Sequence, residues 1–126
     1  MKLSLLSLSY RPQFDRGSMD MNVFLDECQR LGVDGADLHE AAFASVGTQD
    51  LFAVKRGCLD RGLDIPCVSI SNIFACPVEE LADDVADTKA WIERAALLGA
   101  PQVRVFSGRP ADEQDRAASW DRCADA

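Results

Sequence analysis

The sequence has little histidine and no paired cysteine motif, and each scarcity argues against a class of function. Its 126 residues contain one histidine, His39, and five cysteines, none of which is spaced as CxxC. A zinc site normally needs such clustered ligands. The cysteines are therefore predicted to be small buried hydrophobic residues of a protein from a reducing compartment.

Bases and long hydrophobic runs are also scarce. The chain has 13 lysines and arginines against 21 acids, for a formal charge of -8. A nucleic-acid surface needs clustered bases, so no nucleic-acid partner is expected. No run approaches the ~20 apolar residues of a membrane span, and the stretch at 3–10 alternates with serine and lacks a signal-peptide cleavage site. We expect no membrane partner and a cytoplasmic protein.

What the sequence does contain is a repeated unit. A helix-like segment, a glycine, a strand-like segment and a polar loop follow one another three times, after a first strand-like segment at 3–10. The helix-like segments end at Gly32, Gly62 and Gly99, and the strands that follow are predicted at 35–40, 65–70 and 101–106, the last with an exit loop at 107–110. Strands alternating with helices predict a parallel sheet joined by right-handed crossovers.

One face of the predicted strands is polar. Asp37, His39, Ser69, Ser71 and Arg104 alternate with apolar residues. In an open doubly wound sheet both faces lie under helices, so the strands are continuously apolar, and the first strand leads into a glycine-rich phosphate loop that this sequence lacks. The polar face therefore indicates the interior of a barrel near its catalytic mouth.

These segments carry a resemblance to a known family. The most specific is ERAALLGAPQVRVFSG (93–108); the more generic ones are KLSLLSLSY (2–10), GADLHE (35–40), IPCVSISN (65–72) and RPADEQDRAASWDR (109–122). Together they resemble the xylose isomerase-like TIM barrels, which comprise sugar phosphate isomerases and epimerases and have inosose dehydratases and endonuclease IV as relatives. The similarity covers essentially the whole chain but only the first half of the family's barrel.

The resemblance implies an α/β fold in which residues 1–126 form one domain, the parallel (βα)4 half of a TIM (β/α)8 barrel, truncated in the fourth helix. Such a barrel typically has about 250 residues, so a fragment is expected. Family members hold a divalent metal, here Mn, Mg, Co or Zn, with Glu, Asp and His ligands from later strands. The resemblance thus implies that this fragment binds no metal and contains no catalytic residue.

The function implied by the resemblance is that of a metal-dependent sugar or sugar phosphate isomerase or epimerase, which transfers a proton next to a carbonyl. The fragment itself is expected to be inactive. Its expected partners are a small-molecule sugar or sugar phosphate and the missing C-terminal half-barrel. A second hypothesis is a non-enzymatic half-barrel that self-associates through exposed edge strands. A third, an endonuclease IV-like repair enzyme, would need several histidines and a basic groove.

Polar residues at or past the predicted strand ends are the candidate substrate contacts, because this fold binds ligands there. They are Tyr10, His39, Glu40, Ser71, Asn72, Ser107 and Arg109. Next to Glu40, His39 could be a general base or a hydrogen-bonding partner of the substrate, or a satisfied interior histidine. Arg109 could bind a phosphate or carboxylate, or be solvated.

Two further residues of the polar face lie below the strand ends. Asp37 and Arg104 are predicted to form a bidentate structural pair inside the barrel, in preference to binding substrate. Trp91 and Trp120 are predicted to pack between helices or to form a pairing surface.

Overall fold

A computed structural model describes residues 1–109 and 116–126. Helices follow each of its four strands. The strands are β1 (Ser4–Leu6), β2 (Gly35–His39), β3 (Val68–Ser69) and β4 (Val103–Arg104). The helices are α1 (Arg11–Asp15), α2 (Met21–Leu31), α3 (Thr48–Asp60), α4 (Val78–Leu98) and α5 (Arg116–Asp125), with single 3-10 turns at Ser7–Tyr10 and Glu40–Ala42.

The strands form one parallel sheet in the order β1-β2-β3-β4. Leu38 of β2 lies opposite Val68 of β3, which lies opposite Val103 of β4. The next residues along, His39, Ser69 and Arg104, form a second row across the same three strands. Successive residues of a strand point to opposite faces, so an apolar row and a polar row alternate. The predicted α/β class with four parallel strands is confirmed.

The hydrophobic core lies between this sheet and the helices. Its most deeply buried members come from α2, β2, α3, β3 and α4, and include Phe24, Leu25, Cys28, Ala36, Leu38, Leu51, Cys58, Val68, Ile70, Trp91, Ala95 and Leu98. Burial raises the pKa of the Cys28 thiol to about 11 and that of Cys58 to about 12. Both are inert, as predicted for small buried hydrophobic residues.

The first predicted strand is too long. Pairing stops at Leu6, and residues expected to continue the strand form a 3-10 turn that leads into α1. The buried Ser7 explains the turn, because its Oγ accepts a hydrogen bond from the backbone N–H of His39 at 2.8 Å and so replaces the next ladder bond. Pro12, in the first turn of α1, suits a helix start.

Helix ends follow the sequence signals more closely. Asp20 caps α2, since its side chain accepts from the backbone N–H of Val23 at 2.9 Å. Gly32 and Gly99 close α2 and α4 in the left-handed conformation. Threonine is a common cap, so the sequence predicts Thr48 as the cap of α3; in the structure Thr48 is the first residue of the helix, after the cap Gly47.

Helical spacing also predicts two apolar stripes, one at Leu81, Val85, Thr88, Ile92 and Ala95 and one at Ala117, Trp120 and Ala124. Both predictions are partly wrong. On α4, Ile92 is 50% exposed, while the neighbouring Trp91 is 5% exposed and packs against Phe43. On α5, Trp120 is 76% exposed; its role as a pairing surface stays a prediction. The α5 start predicted at Pro110 lies outside the described residues. None of the described helices combines the length and hydropathy of a membrane span.

Truncation of a core leucine tests this packing. Leu38→Ala in β2, where the side chain is 0% exposed, should lower the free energy of unfolding by about 2–5 kcal/mol because a cavity replaces the lost contacts. The matched Leu59→Ala on α3, where the side chain is 68% exposed, should change it by less than about 0.5 kcal/mol. Urea unfolding followed by circular dichroism measures both, and equal losses would contradict the assigned core.

Candidate functional site

A cavity of about 560 Å³ opens where the strands end. Every strand exit contributes to its wall: Leu8 and Arg11 follow β1, His39 ends β2, Ser71, Asn72 and Ile73 follow β3, and Arg104, Phe106, Ser107, Gly108 and Arg109 belong to or follow β4. In parallel α/β folds the carboxyl ends of the strands carry the ligand site. This cavity is therefore the candidate site.

A second cavity, of about 500 Å³, lies among α1, α2 and α3 and contains three aspartates. Each of these carboxylates already has a partner. Asp15 is 3.6 Å from the guanidinium of Arg11, Asp20 caps α2, and Asp50 accepts a hydrogen bond from Ser45. Because those groups are engaged in local structure, the second cavity offers no comparable set of free polar side chains.

The candidate cavity brings together five of the seven residues predicted as substrate contacts. His39, Ser71, Asn72, Ser107 and Arg109 all line it. They come from three different strand exits, and only the parallel register places them side by side. Their role in binding substrate stays a prediction.

The other two predicted contacts lie elsewhere. Tyr10 turns away from the cavity: its hydroxyl donates to Glu27 Oε1 at 3.3 Å, and its ring meets Phe24 edge-on at 5.9 Å. The 3-10 turn after β1 causes this orientation. Glu40 does not line the cavity, and its Oε1 accepts from the backbone N–H of Ser71 at 2.8 Å. Glu40 thus ties the exit of β2 to the exit of β3.

The loops after β3 and β4 are joined side by side. The Asn72 side chain accepts from the backbone N–H of Phe106 and donates to its carbonyl, both at 2.7 Å. The backbone N–H of Ala75 donates to the Ser107 carbonyl at 2.8 Å. Asn72 is 7% exposed, so this clamp extends the parallel pairing beyond the strands with a side chain in place of backbone.

Gly108 allows the two loops to come this close. Its φ of +86° lies in the left-handed region, and a Cβ there would come within 2.6 Å of Ile73 Cγ2. Any larger residue would be strained and would push the loops apart. Asp84 of α4 holds the loop after β3 in place, because both its carboxylate oxygens accept from the backbone N–H of Ile73, at 3.0 and 3.1 Å.

His39 is 2% exposed, and its two ring nitrogens have different partners. Nδ1 accepts from the backbone N–H of Ala41 at 3.2 Å, and Nε2 lies 3.3 Å from Ser71 Oγ. An accepting Nδ1 leaves the proton of a neutral imidazole on Nε2, so His39 donates to Ser71. The hydroxyl proton of Ser71 is then free to point into the cavity.

Burial is the main cause that lowers the pKa of His39 below its usual value. Glu40 and Asp37 oppose the shift, while the positive charges of Arg104 and Arg11 add to it. The imidazole is therefore neutral near pH 7. As a donor to Ser71 it cannot also accept a proton from that hydroxyl, so the geometry favours the interpretation of His39 as a hydrogen-bonding residue over that of a general base.

The predicted pair of Asp37 and Arg104 is not formed. Asp37 accepts instead from Ser69 Oγ at 3.2 Å, and its pKa is raised, chiefly by burial. The Arg104 guanidinium lies over the ring of Phe106, 4.4 Å from its centroid. The open side of the sheet explains the difference: Arg104 is exposed there, so it does not need the buried partner that a closed interior would demand.

The described residues do not supply a metal site. Within 1–109 and 116–126, no group of three or more His, Cys, Asp or Glu side chains is arranged to hold an ion. A metal of the kind that the resemblance implies does not fit these residues alone.

No protein-family model matches the sequence, and no curated protein is significantly similar to it. Solved structures do match. A xylose isomerase domain protein from Planctomyces limnophilus has a TM-score of 0.64 and 17% identity over 80% of this chain and 42% of its own. The probable 3-DHS dehydratase AsbF from Bacillus anthracis, involved in petrobactin synthesis, has a TM-score of 0.69 and 18% identity over 95% of this chain and 44% of its own.

The chain has the fold of a parallel (βα)4 half-barrel. It spans less than half the length of either solved structure, 42% and 44%. At these identities the likeness establishes the fold and leaves the reaction open. The half-barrel places its cavity at the carboxyl ends of the strands, which is the catalytic face of TIM barrels.

Arg11 and Phe106 line the cavity but are not among the candidate contacts that the sequence indicates. Arg104, which the sequence assigns to a structural pair with Asp37, lines it as well. Arg11 directly follows the first strand-like segment, and this position was the available signal. Phe106 had none, because the sequence pattern does not show that β4 ends at Arg104.

His39 is the only histidine in the half-barrel, so its titration is readily resolved by NMR. We expect its midpoint to lie below 6.5 in the folded chain and near 6.5 in urea. Because the unfolded chain then binds the proton more readily, stability is fully present above pH 6.5 and declines as the pH falls from 6.5 to the folded pKa. A folded midpoint at or above that of the unfolded chain would contradict the buried neutral tautomer.

Proposed function

We propose that this chain is the N-terminal half of a divalent-metal-dependent sugar or sugar phosphate isomerase or epimerase that acts by proton transfer next to a carbonyl. The observation that carries the proposal is the cavity to which all four strand exits contribute, at the carboxyl ends of a parallel sheet. That is where TIM barrels bind and convert their substrates.

In this proposal the second half of the barrel supplies the metal ligands and the carboxylates that move the proton. A Mn, Mg, Co or Zn ion, when bound, would polarise the substrate oxygens. The chain alone is then inactive. AsbF is named as a dehydratase, so this fold carries more than one class of reaction. In the proposal, the loops that follow the strands determine which substrate is bound.

This half contributes binding and orientation. Ser71 donates its hydroxyl proton to a substrate oxygen, while His39 donates from Nε2 to Ser71 Oγ at 3.3 Å and fixes the direction of that hydroxyl. A hydrogen bond strengthens when its donor oxygen itself accepts one. Asn72 does not contact the substrate through its clamped atoms and instead holds the loops that form the wall.

The test starts from the coding sequence downstream of Ala126. We expect about 130 further residues, with Glu, Asp and His at successive strand ends, as a complete barrel requires. The complete protein, incubated in D2O with Mn²⁺ and a panel of aldoses, ketoses and their phosphates, should exchange a carbon-bound proton next to the carbonyl, as followed by ¹H NMR. Exchange that does not depend on the metal, or none with any member, would overturn the proposal.

Within that complete protein, Ser71→Ala should lower kcat/KM for exchange by about tenfold or more, because one hydrogen bond to the developing charge is lost. Ser4→Ala, at the opposite end of the sheet in β1, is the matched control and should leave the rate unchanged. Equal rates for the two variants would remove Ser71 from the substrate site.

A second candidate is a half-barrel that self-associates without catalysis. The sheet order leaves β1 and β4 paired on one side only, and unpaired edges recruit further strands. Sedimentation equilibrium should then show a defined dimer. Val105→Lys beside the β4 edge should shift it toward monomer, whereas Val23→Lys on α2 should not; the two side chains are 44% and 45% exposed. A monomer at all concentrations would exclude this candidate.

A further inference from the structure

We propose that the cavity at the strand ends contains an oxyanion subsite, in which Arg11, Arg104 and Arg109 bind a carboxylate or phosphate group of the substrate. The inference deepens the proposed function, on which it rests, by assigning a charged substrate to the site. It also places the anion on this half of the barrel.

The cavity is lined by positively charged side chains, although the chain as a whole is negatively charged. Acids outnumber bases 21 to 13 in the sequence, yet three arginines and no carboxylate are among the residues that line the cavity. A concave wall of one charge sign focuses the potential and attracts ligands of the opposite sign. A neutral sugar gives no reason for such a reversal, whereas an anionic one does.

The guanidinium group of Arg104 is available to bind an anion. Its guanidinium stacks on Phe106 at 4.4 Å, so the ring supports one flat face while the N–H groups at the edge stay available. None of the ion pairs in the described part of the chain involves Arg104 or Arg109. Planar guanidinium groups bind carboxylate and phosphate oxygens through two parallel hydrogen bonds.

The other two arginines reach the cavity from opposite sides. Arg109 lies directly after Gly108, whose close approach to Ile73 fixes the end of the loop. Arg11 enters from the exit of β1 and has one partner, Asp15, at 3.6 Å in an exposed pair. Such a surface pair contributes little, so Arg11 can turn to an incoming anion at small cost.

The positive charges of two of these arginines act on the neighbouring His39. Burial is the main cause that lowers the pKa of His39; Arg104 and Arg11 add to it, and Glu40 and Asp37 oppose it. The two arginines, which follow or end different strands, therefore both lie close enough to act on this imidazole. The neutral His39 therefore adds a donor, through Ser71, without adding charge. An oxyanion would meet guanidinium groups and a hydroxyl donor in one place.

The test uses the chain as it is, at low ionic strength, with inorganic phosphate and acetate as probes and chloride at matched ionic strength as the reference. We expect the NMR signals of the arginine Nε–H groups of Arg104 and Arg109 to shift and saturate with phosphate, acetate, or both. Saturation by phosphate alone indicates a phosphorylated substrate, and saturation by acetate as well indicates a subsite that also accepts a carboxylate.

Substitution separates the subsite from nonspecific binding. Arg104→Gln and Arg109→Gln should each weaken binding about tenfold, the effect of a lost charge-assisted hydrogen bond. Arg56→Gln on the exposed face of α3 is the matched control and should have no effect. Circular dichroism reports whether each variant is folded.

Two outcomes overturn the inference: shifts no larger than those with chloride, or equal weakening by the Arg56→Gln control. Neither bears on the proposed reaction, because anion binding to this chain requires no metal and no turnover. Conversely, a complete barrel without proton exchange would refute the proposed function while leaving the measured anion binding intact.

Discussion

The parallel register of β2, β3 and β4 is the constraint on which the rest of this molecule depends. It places Leu38, Val68 and Val103 in one row and His39, Ser69 and Arg104 in the next. Because the helices cover only one face, the apolar row becomes core and the polar row is left for the other face. A shift of one residue in β4 would bury Arg104 under helices, at a cost of several kcal/mol.

Hydrogen bonds from side chains continue that register where the backbone ladder stops. Ser7 receives the N–H of His39, Glu40 receives the N–H of Ser71, and Asn72 binds both backbone groups of Phe106. Each joins the exit of one strand to the exit of the next. The short strands therefore still yield a defined cavity wall, since these side-chain hydrogen bonds hold the loops where the ladder stops.

The class of fold could be predicted because its signals are local and repeated: Gly32 and Gly99 end helices, and polar residues alternate with apolar ones in the strands. The lengths of the strands could not, since the end of β1 depends on Ser7 meeting a backbone group 32 residues away. Tyr10 was misplaced for the same reason. The Asp37–Arg104 pair was expected from a closed, dry interior, and the open face removes that requirement.

Of the seven predicted contacts, five line the cavity, whereas Glu40, which directly follows the buried strand residue His39, does not. Position alone, however, did not reveal their chemistry. Ser71 and Asn72 are adjacent in sequence, yet their side chains have different roles. The hydroxyl of Ser71 faces the cavity, whereas the amide of Asn72 is hydrogen-bonded to the backbone of Phe106. That division depends on contacts between residues about 30 positions apart, which no local pattern contains.

The electrostatics of the site follow from the same arrangement. A histidine buried beside Arg11 and Arg104 is held neutral, and a neutral imidazole whose Nδ1 accepts from the backbone can only donate from Nε2. Burial is thus the main cause of the neutral state, the arginines add to it, and the N–H of Ala41 on Nδ1 sets the direction of the His39–Ser71 hydrogen bond. An anion bound between the arginines would cancel part of their field and ease protonation of His39, so charge recognition and the state of the imidazole are coupled at this cavity wall.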